Sequence, residues 1–348
     1  MMQAVTIKYY IFLFLLLAMT SSCKKNFLPD QDDDDKLVVL AEVTAGDIVR
    51  IPVGRTIRAG SGNLINFEKV NDATVVLSEE NGGKWLLRAD KSAQFANNPA
   101  SIFTIKHFYK PNTIYTLEIS HPVLGTARAT TRVPQPVQVE QIDTSSGLRQ
   151  GKPVLEVKVS LKDLPDQIEN YVIEAVKQVL KIRRTFYYHG TKYDCDTDEG
   201  KKLYEQVKND PSVKLLKDTL PQQKFLRLNL YSKDPNIENL RFDGSDNAFR
   251  RIFLTDQYFV NNKYELKFSI DKEYFVSDEN DQKGRVLLQV KSASRDLYRY
   301  LITYEKYKTD FGSIPANQLA SPAGNVQYGL GVFGGSTQVE KIYYFDEL

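Results

Sequence analysis

Asp72-Ala73-Thr74-Val75-Val76-Leu77, then Asn81-Gly82-Gly83, then Lys84-Trp85-Leu86-Leu87: these residues decide the fold. A β-branched run, a glycine-bearing turn and a second apolar run are the signature of two antiparallel strands joined by a hairpin. The same grammar extends both ways. Leu37-Val38-Val39-Leu40 opens a strand and residues 48–53 form a second apolar stretch. Asn112 precedes Ile114-Tyr115-Thr116-Leu117-Glu118-Ile119, which alternates apolar and polar; residues 126–133 alternate too, and Pro134 ends them. About seven short strands at this spacing predict an immunoglobulin-like sandwich over residues 37–137, with Pro134-Gln135-Pro136 as the boundary.

Residues 138–348 read as a second β-rich domain. Leu155, Val157 and Val159 share one face of a strand. Residues 171–182 fit two patterns. Val172, Ala175, Val176, Val179 and Leu180 make a helical stripe, whereas the β-branched content and Asn170 suit a strand, which is the reading taken. A short helix over 199–209, stopped by Pro211, and another over 213–220 form an insertion of about residues 183–222. Strands follow at 224–231, 249–255, 264–270 and 286–290. Ser294 caps a helix that buries Leu297, Leu301 and Tyr304. A loop with Pro315, Pro322 and Asn325, a glycine-rich segment at 329–335 and a last strand at 341–345 complete the chain. The fold class is mainly β: an N-terminal immunoglobulin-like sandwich, then a β-rich domain with a short helical insertion and a C-terminal helix.

The chain of 348 residues carries 46 Lys and Arg against 44 Asp and Glu. This near-neutral balance argues against a nucleic-acid partner, whose binding rests on clustered cations that neutralise phosphates. The first residues are informative about location. Lys8 supplies a positive start, residues 9–19 are an unbroken apolar run, and Thr20-Ser21-Ser22 lead to Cys23. The run is too short for a bilayer span and fits a secretory signal over residues 1–22. Small residues ending at a cysteine mark cleavage before Cys23 and lipidation of its thiol. No later run is long enough to span a membrane, so attachment rests on the lipid at Cys23. Residues 23–36 read as an acidic tether with Pro29 and Asp32-Asp33-Asp34-Asp35. Cys195 is then the only remaining thiol, and Asp194 and Asp196 beside it disfavour a reactive thiolate.

Several segments, taken in order, carry a family likeness: Leu37-Val38-Val39-Leu40 behind the lipidated cysteine, Asp72-Ala73-Thr74-Val75, Tyr115-Thr116-Leu117, Ala129-Thr130-Thr131-Arg132-Val133-Pro134, Tyr298-Arg299-Tyr300-Leu301, and Asn325-Val326-Gln327-Tyr328-Gly329-Leu330-Gly331-Val332-Phe333-Gly334. The chain resembles the Bacteroidota lipoproteins grouped as domain-of-unknown-function family 4249. The resemblance implies an outer-membrane location and association with a TonB-dependent receptor, and implies no known reaction. In such lipoproteins acids after the cysteine resemble a surface-export signal. The run 32–35 is therefore either that signal or a solvated spacer.

Chemistry-bearing clusters are few. Gly329-Leu330-Gly331-Val332-Phe333-Gly334 is literally G-x-G-x-x-G, but too little chain follows for the βαβ unit of a dinucleotide site. The glycines are read as allowing turns and close backbone packing. Asp194, Asp196 and Asp198 alternate, with Glu205 at the twelfth position of a calcium loop, although Glu199 stands where the loop needs glycine. The other reading is an acidic segment leading into a helix. Asp278, Asn280 and Asp281 make a second, weaker acidic turn. His107, His121 and His189 are scattered, without zinc-ligand spacing. Of 20 tyrosines, 16 lie at or beyond Tyr171. Tyr187, Tyr188 and Tyr193 beside the acidic loop are candidates for partner or ligand contact, against plain strand propensity. The expectation is a non-enzymatic, lipid-anchored outer-membrane binding protein, accessory to a TonB-dependent transporter, with calcium a possible ligand. The alternative is a structural or adhesive surface protein.

Overall fold

The computed structural model describes residues 35–56, 67–90, 100–163, 168–239, 247–259, 263–276, 283–310 and 320–345. The segment expected to be a signal, Cys23, most of the expected tether and the expected acidic turn at Asp278, Asn280 and Asp281 lie outside these residues. The first eight strands are β1 (Leu37–Thr44), β2 (Ile48–Thr56), β3 (Phe67–Lys69), β4 (Thr74–Glu79), β5 (Lys84–Ala89), β6 (Ser101–Phe108), β7 (Thr113–His121) and β8 (Gly125–Val133). β4 and β5 are the hairpin expected across Asn81-Gly82-Gly83, with Val75 opposite Leu87. Alternation follows from the pleat: Val39, Ala41 and Val43 of β1 and Tyr115, Leu117 and Ile119 of β7 face one core.

The remainder comprises β9 (Gln138–Arg149), β10 (Lys152–Lys162), β11 (Asn170–Tyr188), β12 (Thr191–Asp194), α1 (Asp198–Val207), β13 (Leu215–Arg227), β14 (Leu230–Tyr231), β15 (Ala248–Phe249), β16 (Ile252–Thr255), β17 (Lys263–Asp271), β18 (Lys283–Ala293), α2 (Arg295–Asp310) and β19 (Leu330–Tyr344). A five-stranded sheet, β15-β14-β17-β10-β9, packs against the β11-β18-β19 part of the large sheet over a second core. Leu155, Val157 and Val159 meet Tyr171, Ile173 and Ala175 there. The other face of β11 presents Val172 to α2, whose Leu297, Tyr298 and Leu301 are buried against it. A strand covered on both faces reads as a continuous apolar run, which explains the double pattern over residues 171–178, all of them buried. Two-residue turns at Gln150-Gly151 and His189-Gly190, all four residues at positive φ, join β9 to β10 and β11 to β12. Such turns match the right-handed twist of their strands.

Three expectations need correction. The segment expected as a helix at 213–220 is strand β13 from Leu215 onward, because the long β11 offers it a partner with Leu215 opposite Phe186. The glycine-rich 329–335 segment is not separate from the last strand: β19 begins at Leu330 and runs parallel to β1, with Val38 opposite Leu330 and Thr44 opposite Ser336. Its glycines permit close approach rather than a turn. Tyr304 is only half-buried, while Ser294 does cap α2, its Oγ accepting from the Leu297 N–H at 3.4 Å. Pro134 to Pro136 falls between the two cores, but β19 contributes Phe333 to the first and Tyr343 to the second.

At the seam Ser294 Oγ and Thr131 Oγ1 both accept from the Gly335 N–H, at 3.1 and 2.9 Å. Asn325 mimics a strand neighbour, with Oδ1 accepting from Phe333 N–H and Nδ2 donating to Phe333 C=O, each at 2.9 Å. These bonds give the Asn325-to-Gly335 segment a structural reason for its composition.

Candidate functional site

The acidic segment forms a helix entry. Asp194 ends β12, its carboxylate accepting from Arg183 Nε at 2.8 Å and from the Asp196 N–H at 2.9 Å. Thr197 is the N-cap of α1, accepting from the Gly200 N–H at 3.1 Å. Asp198 and Glu199 occupy the first turn, where acids suit the positive end of the helix. Glu205 is exposed, 2.6 Å from Lys208. The four acids are not gathered: among the described residues no group of three His, Cys, Asp or Glu side chains is placed to hold a metal ion. Thr197→Ala should cost about 1 kcal/mol of local stability, measured as faster amide exchange at Gly200.

The three tyrosines divide between two faces. Phe186 lies opposite Tyr193 and stacks on it with ring centroids 5.5 Å apart, and Tyr204 of α1 closes on Phe186 at 5.2 Å. Tyr193 therefore serves to seat α1. Tyr187 faces the other way and is exposed, as the period of two requires. Cys195 is buried; burial pushes its thiol up, Asp194 and Asp196 add to this and Arg184 opposes it.

A buried charge cluster joins the elements on the α2 side of the central sheet. Glu174 of β11, 4% exposed at its side chain, lies 2.7 Å from Lys291 Nζ, 2.6 Å from Arg227 Nε and 3.0 Å from Arg251 Nε. Lys291 also reaches Glu42 of β1 at 2.9 Å, and Arg251 reaches Glu305 of α2. Burial is the largest single influence on Glu174 and pushes it up, but Lys291, Arg227 and Arg251 together outweigh it and hold the carboxyl at about 2. Burial likewise pulls Lys291 down, and Glu42 and Glu174 overcome it, so its ammonium stays above the ordinary lysine value. Each charge is answered, which suits a clamp between elements.

The open concavity lies elsewhere. A groove of about 840 Å³ crosses the outward face of β9, β10, β14 and β17. At one end the Arg149 guanidinium lies over the Tyr231 ring, 3.5 Å from its centroid. Asp271 fixes both, accepting from Arg149 Nη2 at 3.1 Å and from the Tyr231 hydroxyl at 3.3 Å. Lys158 is held between Glu265 and Asp143 at 3.3 and 3.7 Å. Lys233 and Lys267 are exposed on the same wall and form no ion pair among the described residues. The Asn247 Oδ1 atom, also lining the groove, is buried and has no hydrogen-bond partner among the described residues. A volume of this size suits a small ligand or a short segment of a polymer. The lining offers two exposed lysines, a buried amide acceptor and an Arg–Tyr stack fixed by Asp271, a set suited to holding a polar ligand. Reading the sequence alone missed this site, because Arg149, Tyr231 and Asp271 come from three distant strands and meet only through sheet register.

No curated protein matches the chain. One solved structure, described as the complete structure of manganese lipoxygenase of Gaeumannomyces graminis and partial structure of zonadhesin of Komagataella pastoris, aligns over 90% of this chain and 95% of that one. Its identity is 11% and its TM-score 0.19, too low to support any conclusion. The family model "Domain of unknown function (DUF4249)" matches residues 24–342, which run from just after Cys23 into β19, and the chain belongs to that family.

Proposed function

We propose that this chain is a non-enzymatic binding protein, held at the outer membrane by lipid on Cys23 and accessory to a TonB-dependent transporter in nutrient uptake. The reading rests on the segment ending at Cys23: a charged start, a short apolar run, small residues and a cysteine, a short tether ahead of β1. The groove supports the binding part, and the Bacteroidota family resemblance supports the transporter part. A single acyl chain holds a protein only marginally, so firm attachment calls for more than one chain on the processed cysteine.

Cys23→Ser should release the protein from the membrane fraction, read by fractionation of cells expressing either form. Pull-down of the intact lipoprotein should bring a TonB-dependent receptor with it. The double variant Lys233→Glu/Lys267→Glu, exposed positions with no ion pair among the described residues, should melt like the parent and weaken ligand or receptor capture. Full membrane retention of Cys23→Ser sinks the anchor. A pull-down without a receptor sinks the transport role and leaves the adhesive alternative.

A further inference from the structure

Two of the most exposed large apolar side chains among the described residues sit at one end of the first sandwich. Val123, 85% exposed, is on the turn between β7 and β8, and Tyr328, 86% exposed, stands just before β19. Register brings them together. His121 pairs with Gly125 across the turn, Gln327 pairs with Arg128 of β8, and Leu330 pairs with Val38 of β1. β1 starts at this same end, so the tether enters here. β19 runs from this end, through the seam at Ser336, to the second core at Tyr343.

Neither tip is slack. His121 Nδ1 accepts from the N–H groups of Val123 and Leu124, both at 3.1 Å, while Nε2 lies 2.9 Å from Asp72. Tyr328 is held at φ 57, between Gln327, whose N–H donates to Arg128 C=O at 2.8 Å, and Gly329, which abuts Leu37. A tyrosine seldom adopts this left-handed conformation, and here it carries a ring that is left almost wholly exposed. A phenol ring with an apolar body and a polar tip is suited to the boundary between headgroups and acyl chains.

We infer that this end of the first sandwich rests on the lipid surface to which Cys23 is anchored, with Tyr328 and Val123 as the contact and the groove of the second lobe turned away from the membrane. The inference rests on the anchoring at Cys23 proposed above. From Cys23 to Leu37 the chain reaches at most about 50 Å. A tether this short holds the tips at a local concentration on the order of millimolar, so two small contacts suffice to orient a body that would not bind lipid when free.

The test uses the full lipidated chain reconstituted into phosphatidylcholine vesicles containing nitroxide-headgroup lipid. A fluorophore is placed through Val123→Cys, Tyr328→Cys or, as the distant control, Leu148→Cys on β9. Strong quenching at positions 123 and 328 with little at 148 is the expected result. Quenching at 148 equal to that at the tips overturns the orientation, and so does its absence from all three. Tyr328→Gly separates contact from packing. Glycine suits φ 57, so the melting temperature should hold or rise, while quenching at position 123 should fall; unchanged quenching removes Tyr328 from the contact. Vesicle flotation is measured in parallel. Flotation without tip quenching overturns this inference and spares the anchor, whereas failure of the parent to float overturns both.

Discussion

Gly331→Ala should abolish folding or cost more than about 4 kcal/mol, a loss reserved for severe steric or strain defects. Gly331 stands at φ 100 in β19, opposite Val39 of β1, and a Cβ there would lie 1.9 Å from the Val39 carbonyl oxygen. No rotamer relieves that contact, because the backbone alone fixes the Cβ position and the atom it meets is a backbone carbonyl oxygen. The parallel pairing that joins the last strand to the first would have to open. Gly46 is the matched control: it stands at φ 86 with nothing within 4 Å of an added Cβ. Gly46→Ala should show only the left-handed backbone penalty, about 1 kcal/mol. Urea unfolding of the two variants decides the matter. Equal losses would mean that conformation, not the approach of β1, is what the glycine at 331 provides.

Glu174→Gln should cost about 3–5 kcal/mol, since it leaves Lys291, Arg227 and Arg251 facing one another with only Glu42 and Glu305 in reply. The melting temperature should fall on the order of 10 °C. A pH signature accompanies it. The folded carboxyl is held at about 2 against an ordinary 4.5. Its stabilisation is therefore complete above the ordinary value and is lost as pH falls from there toward the folded one. That difference amounts to about 3 kcal/mol. Acid melts of the parent should steepen in this window and those of Glu174→Gln should not. A double variant with Lys291→Met should lose less than the sum of the single losses, because the two side chains are in contact. Strict additivity, or an acid slope unaltered by Glu174→Gln, would remove the cluster as a clamp.

Strand alternation and hairpin turns made the first sandwich legible, since each strand there covers one face of one core and writes a period of two. The β4–β5 hairpin and the strands at β7 and β8 follow directly from their residues. Legibility failed where tertiary partners override local preference. Residues 213–220 carry enough leucine for a helix, and only the long neighbour β11 makes them a strand. Glycines at 329–335 argue locally against a strand, yet the parallel approach of β1 and the packing of Leu297 on Gly334 require residues without side chains. Asp194, Asp196 and Asp198 alternate as ligands would in an extended chain, but the chain stops being extended at Asp194. The groove was invisible because β9, β14 and β17 write nothing locally about which outward residues become neighbours. Tyr231 was one of many tyrosines until Arg149 and Asp271 joined it.

The pairing of β1 with β19 also has a temporal consequence. Thr44 and Ser336, whose hydroxyls meet at 2.9 Å, are 292 positions apart. A chain delivered across a membrane amino-end first exposes β1 long before its parallel neighbour arrives. Until then Leu37, Val39 and Ala41 border an unsealed core and an unpaired strand edge, a state prone to mispairing. The usual economy of folding one domain while the next is still being delivered is thus closed to this protein. Closing the first core is a late, long-range event and slow on that account, and were the chain exported as proposed above, nearly the whole polypeptide would have to be kept from aggregating until β19 arrived.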